Sequence, residues 1–177
     1  MSRALVALSR LAARLPAGLR ERAVVVQGRR GLAVDRFVLR WTGVSLVTFQ
    51  YAVARGHPYC PTLLLTTTGR RSGARRTVAL PWVADGTDLL VCGSAGGGPR
   101  NPDWVANLRA EPACAVRLSG RTRPAVAHVA AGAERERVYA VLTAARPVVA
   151  AYERAAATHG RTMPLVVIRP SGHGLRG

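Results

Sequence analysis

The sequence predicts an α+β fold: a small closed or partly closed barrel of about six mainly antiparallel strands, with helices inserted between them. Three observations carry that prediction. From residue 62 onward, short β-branched and apolar runs replace helical spacing. Two links between those runs, Asp85-Gly86 and Ser119-Gly120, are hairpin turn pairs. Helix-spaced segments follow the third and fifth strands, which suits antiparallel hairpins better than a doubly wound parallel sheet. The chain has 177 residues, 49% of them hydrophobic, and a domain of that length buries about 70% of its unfolded surface.

The elements follow in order. Residues 1 to 20 contain no acid. Leu5, Leu8, Leu11 and Leu15 fall on one side of a helix there and Arg3, Arg10 and Arg14 on the other, before Pro16 and Gly18 end it. Such a helix suits an anionic membrane surface, a transit peptide, or packing on its own domain. Val34 to Ala54 reads as a second helical stretch, closed by Gly56-His57-Pro58. Thr62 to Thr68, Arg76 to Ala84 and Leu89 to Cys92 read as strands. Ser94 to Arg100, "SAGGGPR", is a glycine-rich loop. Asn101 is then expected as a helix N-cap, with Pro102 at the first helical position and Asp103 in the first turn. That helix carries Trp104, Asn107 and Leu108 and stops before Pro112. Strands at Cys114 to Leu118 and Arg123 to Val129, helices at Ala133 to Ala145 and from Pro147 to near Gly160, and a last strand at Pro164 to Arg169 complete the chain.

Charge narrows the function. There are 26 basic residues against 9 acidic, a net +17, and every basic residue is arginine. That balance predicts an anionic partner: nucleic acid, anionic lipid, or a phosphorylated and carboxylated small molecule. Cys60, Cys92 and Cys114 are an odd set without metal-like spacing and suit a reducing compartment. His57, His128, His159 and His173 are scattered, and His57 with Cys60 is too small a set for a metal, so none is expected. No run reaches the ~18 apolar residues of a membrane span.

The arginines concentrate in "TTTGRRSGARRTVAL", where Arg70, Arg71, Arg75 and Arg76 surround Ser72 without an acid in the stretch. Gly69 and Gly73 are expected at positive φ, so that several amide N–H groups converge as an anion-binding nest. Guanidinium forks match phosphate or carboxylate oxygens two at a time. The alternative is a solvated basic hairpin tip. Walker spacing is absent, and at 5% aromatic content the chain lacks the stacking side chains of a single-strand-binding surface. The segment "GSAGGGPRNPDWVANLRAEP" adds glycines for close ligand approach and the N–H groups of a helix N-terminus. Trp104 there suits either core packing or ligand contact.

Together these two motifs resemble the deazaflavin-dependent nitroreductase and quinone reductase family, split β-barrel (FMN-binding-like) oxidoreductases that use coenzyme F420. The resemblance covers about residues 62 to 170. It makes residues 58–177 a split-barrel coenzyme-binding domain, and the helical spacing before it makes residues 1–57 an N-terminal helical extension able to associate with a membrane. It implies that Gly69, Arg70, Arg71, Ser72, Gly73, Arg76 and Thr77 hold the phosphate and oligoglutamate tail. The deazaflavin ring would lie by Ser94, Ala95, Gly96, Gly97, Pro102, Trp104 and Asn107. Ala79 stands where the family carries proline, and Val105-Ala106 replaces Tyr-His, which bears on the acceptor. Tyr139 and Tyr152 are substrate-side candidates, and Tyr152 and Ser94 are the candidate proton donors.

The expected activity is hydride transfer from reduced F420 to a quinone, a nitroaromatic or an activated alkene. FMN is the competing cofactor. The implied location is cytoplasmic, peripheral on the inner face of the cell membrane, with a lipophilic quinone as acceptor. The alternatives are a coenzyme-binding protein without turnover and a basic nucleic-acid-binding barrel.

Overall fold

The computed structural model describes residues 28–55 and 59–171, together with Ala7 and Leu11, both helical and exposed. Apart from those two residues, the amphipathic helix expected over residues 1 to 20 lies outside the described residues. The chain forms two compact units. One comprises Met1–Leu64, Ala79–Pro81 and Arg117–Arg121, the other Leu65–Val78, Trp82–Val116 and Thr122–Gly177.

In the first unit, helices α1 (Gly28–Thr42) and α2 (Leu46–Arg55) replace the single helix expected over Val34 to Ala54. The break is chemical. Gly43 adopts φ +72° and donates its N–H to Leu39 O at 3.0 Å, the left-handed stop that favours glycine. Ser45 then caps α2, its Oγ accepting the Thr48 N–H at 3.0 Å. Asp35 of α1 is buried, and its carboxylate accepts from Ser45 Oγ and from the Val47 N–H at 2.9 Å. A carboxylate at a helix N-terminus is favoured by the dipole, so the turn between the helices is fixed from within. The Tyr59 hydroxyl accepts the Ser45 N–H at 3.3 Å, and burial raises its pKa. The outer side of α1 is apolar: Val34, Phe37 and Trp41 are exposed, with the Phe37 and Trp41 rings 6.4 Å apart. Arg36 and Arg40 are exposed beside them.

The strands are β1 (Thr62–Thr68), β2 (Arg75–Pro81), β3 (Val83–Asp85), β4 (Asp88–Cys92), β5 (Ala113–Leu118), β6 (Arg121–Val129) and β7 (Leu165–Pro170). Helix α3 (Asp103–Ala110) precedes β5, and α4 (Gly132–Ala145) and α5 (Val148–Ala157) precede β7. The strands form one sheet in the order β2-β1-β5-β6-β7-β4-β3, with β3–β4, β4–β7 and β6–β7 antiparallel. The fold is the expected α+β split barrel, with seven strands instead of six. The run Arg76 to Ala84 is interrupted at Trp82, after Pro81, which has no N–H for a ladder. Its two halves lie at opposite ends of the strand order.

Strand β7 is the centre of the second unit. Leu165, Val166, Val167 and Ile168 are all fully buried. Successive side chains point to opposite faces, so both faces of β7 are covered. Leu165 and Val167 pack with Leu90, Val138, Leu142, Val149 and Ala156, joining the strand to α4 and α5. Glu153 accepts the Met163 N–H and an Arg135 guanidinium hydrogen bond, fixing the entry into β7.

Candidate functional site

The arginine turn is closed on itself. Gly69 donates its N–H to Ala74 O at 2.8 Å, and Gly69 O accepts from the Ser72 and Gly73 N–H groups. The Ser72 hydroxyl accepts the Ala74 N–H at 3.3 Å. Gly73 has the expected positive φ, +65°, but Gly69 does not. Gly69 is required by space instead, since a Cβ there would stand 3.0 Å from Ala74 O. The Gly69, Ser72, Gly73 and Ala74 N–H groups are spent within the turn, so they do not converge outward as the nest expected from the sequence. The donors that face outward are the guanidinium groups. All four arginines are exposed, and no ion pair engages them among the described residues.

Helix α3 holds the turn in place. Buried Asn107 accepts the Arg70 N–H on its Oδ1 at 3.1 Å and donates from Nδ2 to Thr67 Oγ1 at 3.1 Å. Thr77 faces Thr66 across β1 and β2, their hydroxyls 2.9 Å apart. Between turn, β2 and α3 lies a cavity of about 450 Å³. The turn contributes Gly69, Arg70, Arg71 and Ser72, the strand Arg76, Thr77 and Val78, and the helix Asp103, Trp104 and Asn107. Trp104 is 7% exposed, so it is both a core residue and a wall. Asp103 brings one carboxylate to a cavity with three guanidinium groups, an acid that adjacency in sequence does not reveal.

The glycine-rich segment is built differently. Ala95, Gly96 and Gly97 take φ values of 48°, 66° and 83° in one 3-10 turn. Its amides are committed: Gly96 N–H to Ser94 Oγ, Gly97 N–H to Ser94 O, and Gly98 N–H to Ala95 O. A Cβ at Gly97 would stand 2.5 Å from that of Ala155, so this glycine serves the contact with α5. Asn101 does not cap α3. Pro102 occupies that position without a side-chain hydrogen bond, and the Asn101 side-chain Oδ1 accepts from Arg161 Nη1.

Of the expected site residues, Gly69, Arg70, Arg71, Ser72, Arg76, Thr77, Trp104 and Asn107 converge on the cavity. Gly73 belongs to the same turn without forming a wall. Ser94, Ala95, Gly96, Gly97 and Pro102 lie outside the walls, as does Tyr152, which packs against the helix–sheet core with Tyr139. Two participants escaped sequence reasoning. Asp103 has in sequence only the mark of a first-turn helix residue. Arg161 sits in a loop without any motif, yet its guanidinium binds Gly98 O, Gly93 O, Asn101 Oδ1 and Ser94 O at 2.9, 3.2, 2.8 and 2.7 Å. Burial raises the pKa of the Cys92 thiol, partly offset by the charge of Arg146. It pushes Cys114 up to about 11.

Comparison with known proteins fits this geometry. A family profile described as F420H(2)-dependent quinone reductase matches residues 44–170. The F420H(2)-dependent quinone reductase Rv1261c of Mycobacterium tuberculosis is 38% identical over 88 residues, 45% of this chain and 59% of that protein. The chain thus spans about three-fifths of that relative's length. A second M. tuberculosis protein named for the same reaction, Rv3178, is 32% identical over 112 residues, 62% of this chain and 90% of its own. Among solved structures, the F420-H2 dependent reductase FDR-A aligns with a TM-score of 0.55 and 31% identity, covering 62% of this chain and 94% of that one. A structure described as a domain-swapped dimer aligns with a TM-score of 0.57 and 26% identity, covering 77% and 94%. Because the profile spans both motifs and most of the barrel, the chain belongs to the F420H(2)-dependent quinone reductase family, oxidoreductases that work with coenzyme F420.

Proposed function

We propose that this protein oxidises reduced coenzyme F420 with a quinone, holding the anionic tail of the coenzyme in the arginine-walled cavity. The observation that carries the reading is the cavity itself: about 450 Å³, with three exposed guanidinium groups that have no ion-pair partner among the described residues. The donor set fits a polyanion. Arg70, Arg71 and Arg76 answer phosphate and carboxylate oxygens through charge-assisted hydrogen bonds. Asn107 and Thr67 keep the turn in register, and the indole of Trp104 supplies a dry wall. Asp103 offers an acceptor for hydroxyl groups and limits how much negative charge the cavity accepts.

When bound, F420H2 supplies the hydride, and the protein's part is to orient and shield. Reduction of a quinone by F420H2 yields hydroquinone and F420, a balance of one hydride and one proton that requires no side-chain acid. The candidate donors Ser94 and Tyr152 are therefore dispensable in this reading. Nitroaromatics and activated alkenes accept hydride by the same chemistry and belong to the proposal as further acceptors.

A lipophilic quinone resides in a bilayer. Among the described residues no helix is long and apolar enough to cross a membrane. The exposed Phe37 and Trp41 rings with Arg36 and Arg40 beside them support a peripheral contact of the 1–57 extension with anionic lipid. The 58–177 domain would then carry the coenzyme.

Stopped-flow loss of the F420H2 signal on mixing with menadione tests the activity. Acceptor-dependent oxidation is expected, and NADPH is not expected to substitute for F420H2. Tight F420 binding without oxidation by quinones, nitroaromatics or enones would instead mark a coenzyme-binding protein without turnover.

A further inference from the structure

We infer that Arg161 is a positioning residue that shapes the Gly93–Asn101 segment and, through it, the α3 wall of the coenzyme cavity, an inference that rests on the F420 reading above. Four of its five N–H bonds are committed to one short stretch of chain. Nε donates to Gly98 O, Nη1 to Gly93 O and Asn101 Oδ1, and Nη2 to Ser94 O. These acceptors flank the 3-10 turn on both sides and reach the residue before Pro102, where α3 begins. No carboxylate pairs with the guanidinium among the described residues.

The segment needs such a clamp. Ala95 holds a left-handed φ of 48° without being glycine, a conformation unfavourable for an L-residue that must be imposed by its surroundings. Gly97 is pressed against α5, but that contact fixes one point only. Arg161 joins the three carbonyls that a planar fork can reach together and ties them to Asn101. Through Pro102 and α3, the same residue bears on Trp104 and Asn107, two walls of the cavity. A lysine offers charge but no planar fork. Arg161 thus couples the glycine segment to the tail cavity without lining that cavity.

The test uses the full chain with Arg161→Ala, Arg161→Lys and added methylguanidinium. Hydrogen exchange without coenzyme is the first measurement. The Gly96, Gly97 and Gly98 amides should exchange at least about tenfold faster in Arg161→Ala, the scale of losing hydrogen bonds to a charged group, while β7 amides stay protected. F420 fluorescence titration is the second. Affinity should fall about tenfold in Arg161→Ala, fall less in Arg161→Lys, and recover with methylguanidinium, with the wild-type salt dependence retained because this charge is committed to the loop. Unchanged amide exchange in Arg161→Ala overturns the inference, as does a loosened segment with wild-type F420 affinity. Failure of the wild-type protein to bind F420 would instead remove the coenzyme reading, while faster exchange would still assign the clamp to Arg161.

Discussion

The side chain of Asn107 holds the main chain of Arg70: its Oδ1 accepts the Arg70 N–H at 3.1 Å, thirty-seven residues away in sequence. The same amide donates to Thr67, so one buried residue sets the position of the arginine turn against α3. Asn107→Ala leaves both partners unmatched and should cost about 1–3 kcal/mol of stability, read by chemical denaturation. F420 affinity should fall further than that of a control such as Arg121→Ala. Asn107→Asp retains the acceptor but loses the donor to Thr67, and it should fall between wild type and alanine.

Removing the guanidinium of Arg71 or Arg76 should weaken F420 binding by about 1.5–3 kcal/mol each, the range for hydrogen bonds to charged groups. Because these groups are exposed, the loss should shrink as salt is raised. Isothermal or fluorescence titration at two ionic strengths reads both effects. Unchanged affinity in a folded double variant would withdraw the tail from this cavity.

Two glycines in similar conformations should respond differently to alanine. At Gly96 (φ +66°) no atom stands within 4 Å of an added Cβ, so the cost is backbone strain of about 1–2 kcal/mol. At Gly97 (φ +83°) the Cβ meets Ala155 at 2.5 Å, which adds overpacking of about 1–3 kcal/mol. Thermal melts of Gly96→Ala and Gly97→Ala should separate accordingly, with Gly97→Ala the lower. Equal melting temperatures would mean that α5 shifts freely away.

Burial of Cys114 yields a pH prediction. Its thiol is pushed from 9.0 up to about 11 in the folded protein, so the unfolded chain loses this proton first. The neutral thiol's contribution is fully present below pH 9 and is lost as pH rises from 9 towards 11. Stability should decline over that window, and Cys114→Ser should flatten the decline. At pH 8, iodoacetamide should alkylate Cys114 more slowly in native than in unfolded protein.

Most of the barrel was legible in the sequence because its strands alternate or run apolar between turn pairs. Thr62–Thr68 is found where it was expected, and the turn expected at Asp85-Gly86 falls one residue on, at Gly86-Thr87 between β3 and β4. The α1–α2 break was signalled by Gly43 and Ser45 but was overridden by the apolar run around them. Asn101 has the chemistry of a cap, and only the fold reveals that Arg161 engages its side chain. The cavity residues of the turn were legible from charge and glycine spacing. Asp103, Asn107's bridging role and the clamp of Arg161 depend on contacts between segments dozens of residues apart, which composition and periodicity do not encode.

The strand buried on both faces comes last in chain order among the described strands. Strand β7 lies between β6 and β4, so β4 waits more than seventy residues of synthesis for its partner (Cys92 pairs with Leu165). Until then β4 and β6 each present an open edge, and the apolar side chains of α4 and α5 lack their central layer. Nascent chains stopped before Leu165 should therefore be the sticky species, prone to edge pairing with other chains. Emergence of β7 from the exit tunnel, more than any earlier event, would decide whether a molecule joins the folded pool.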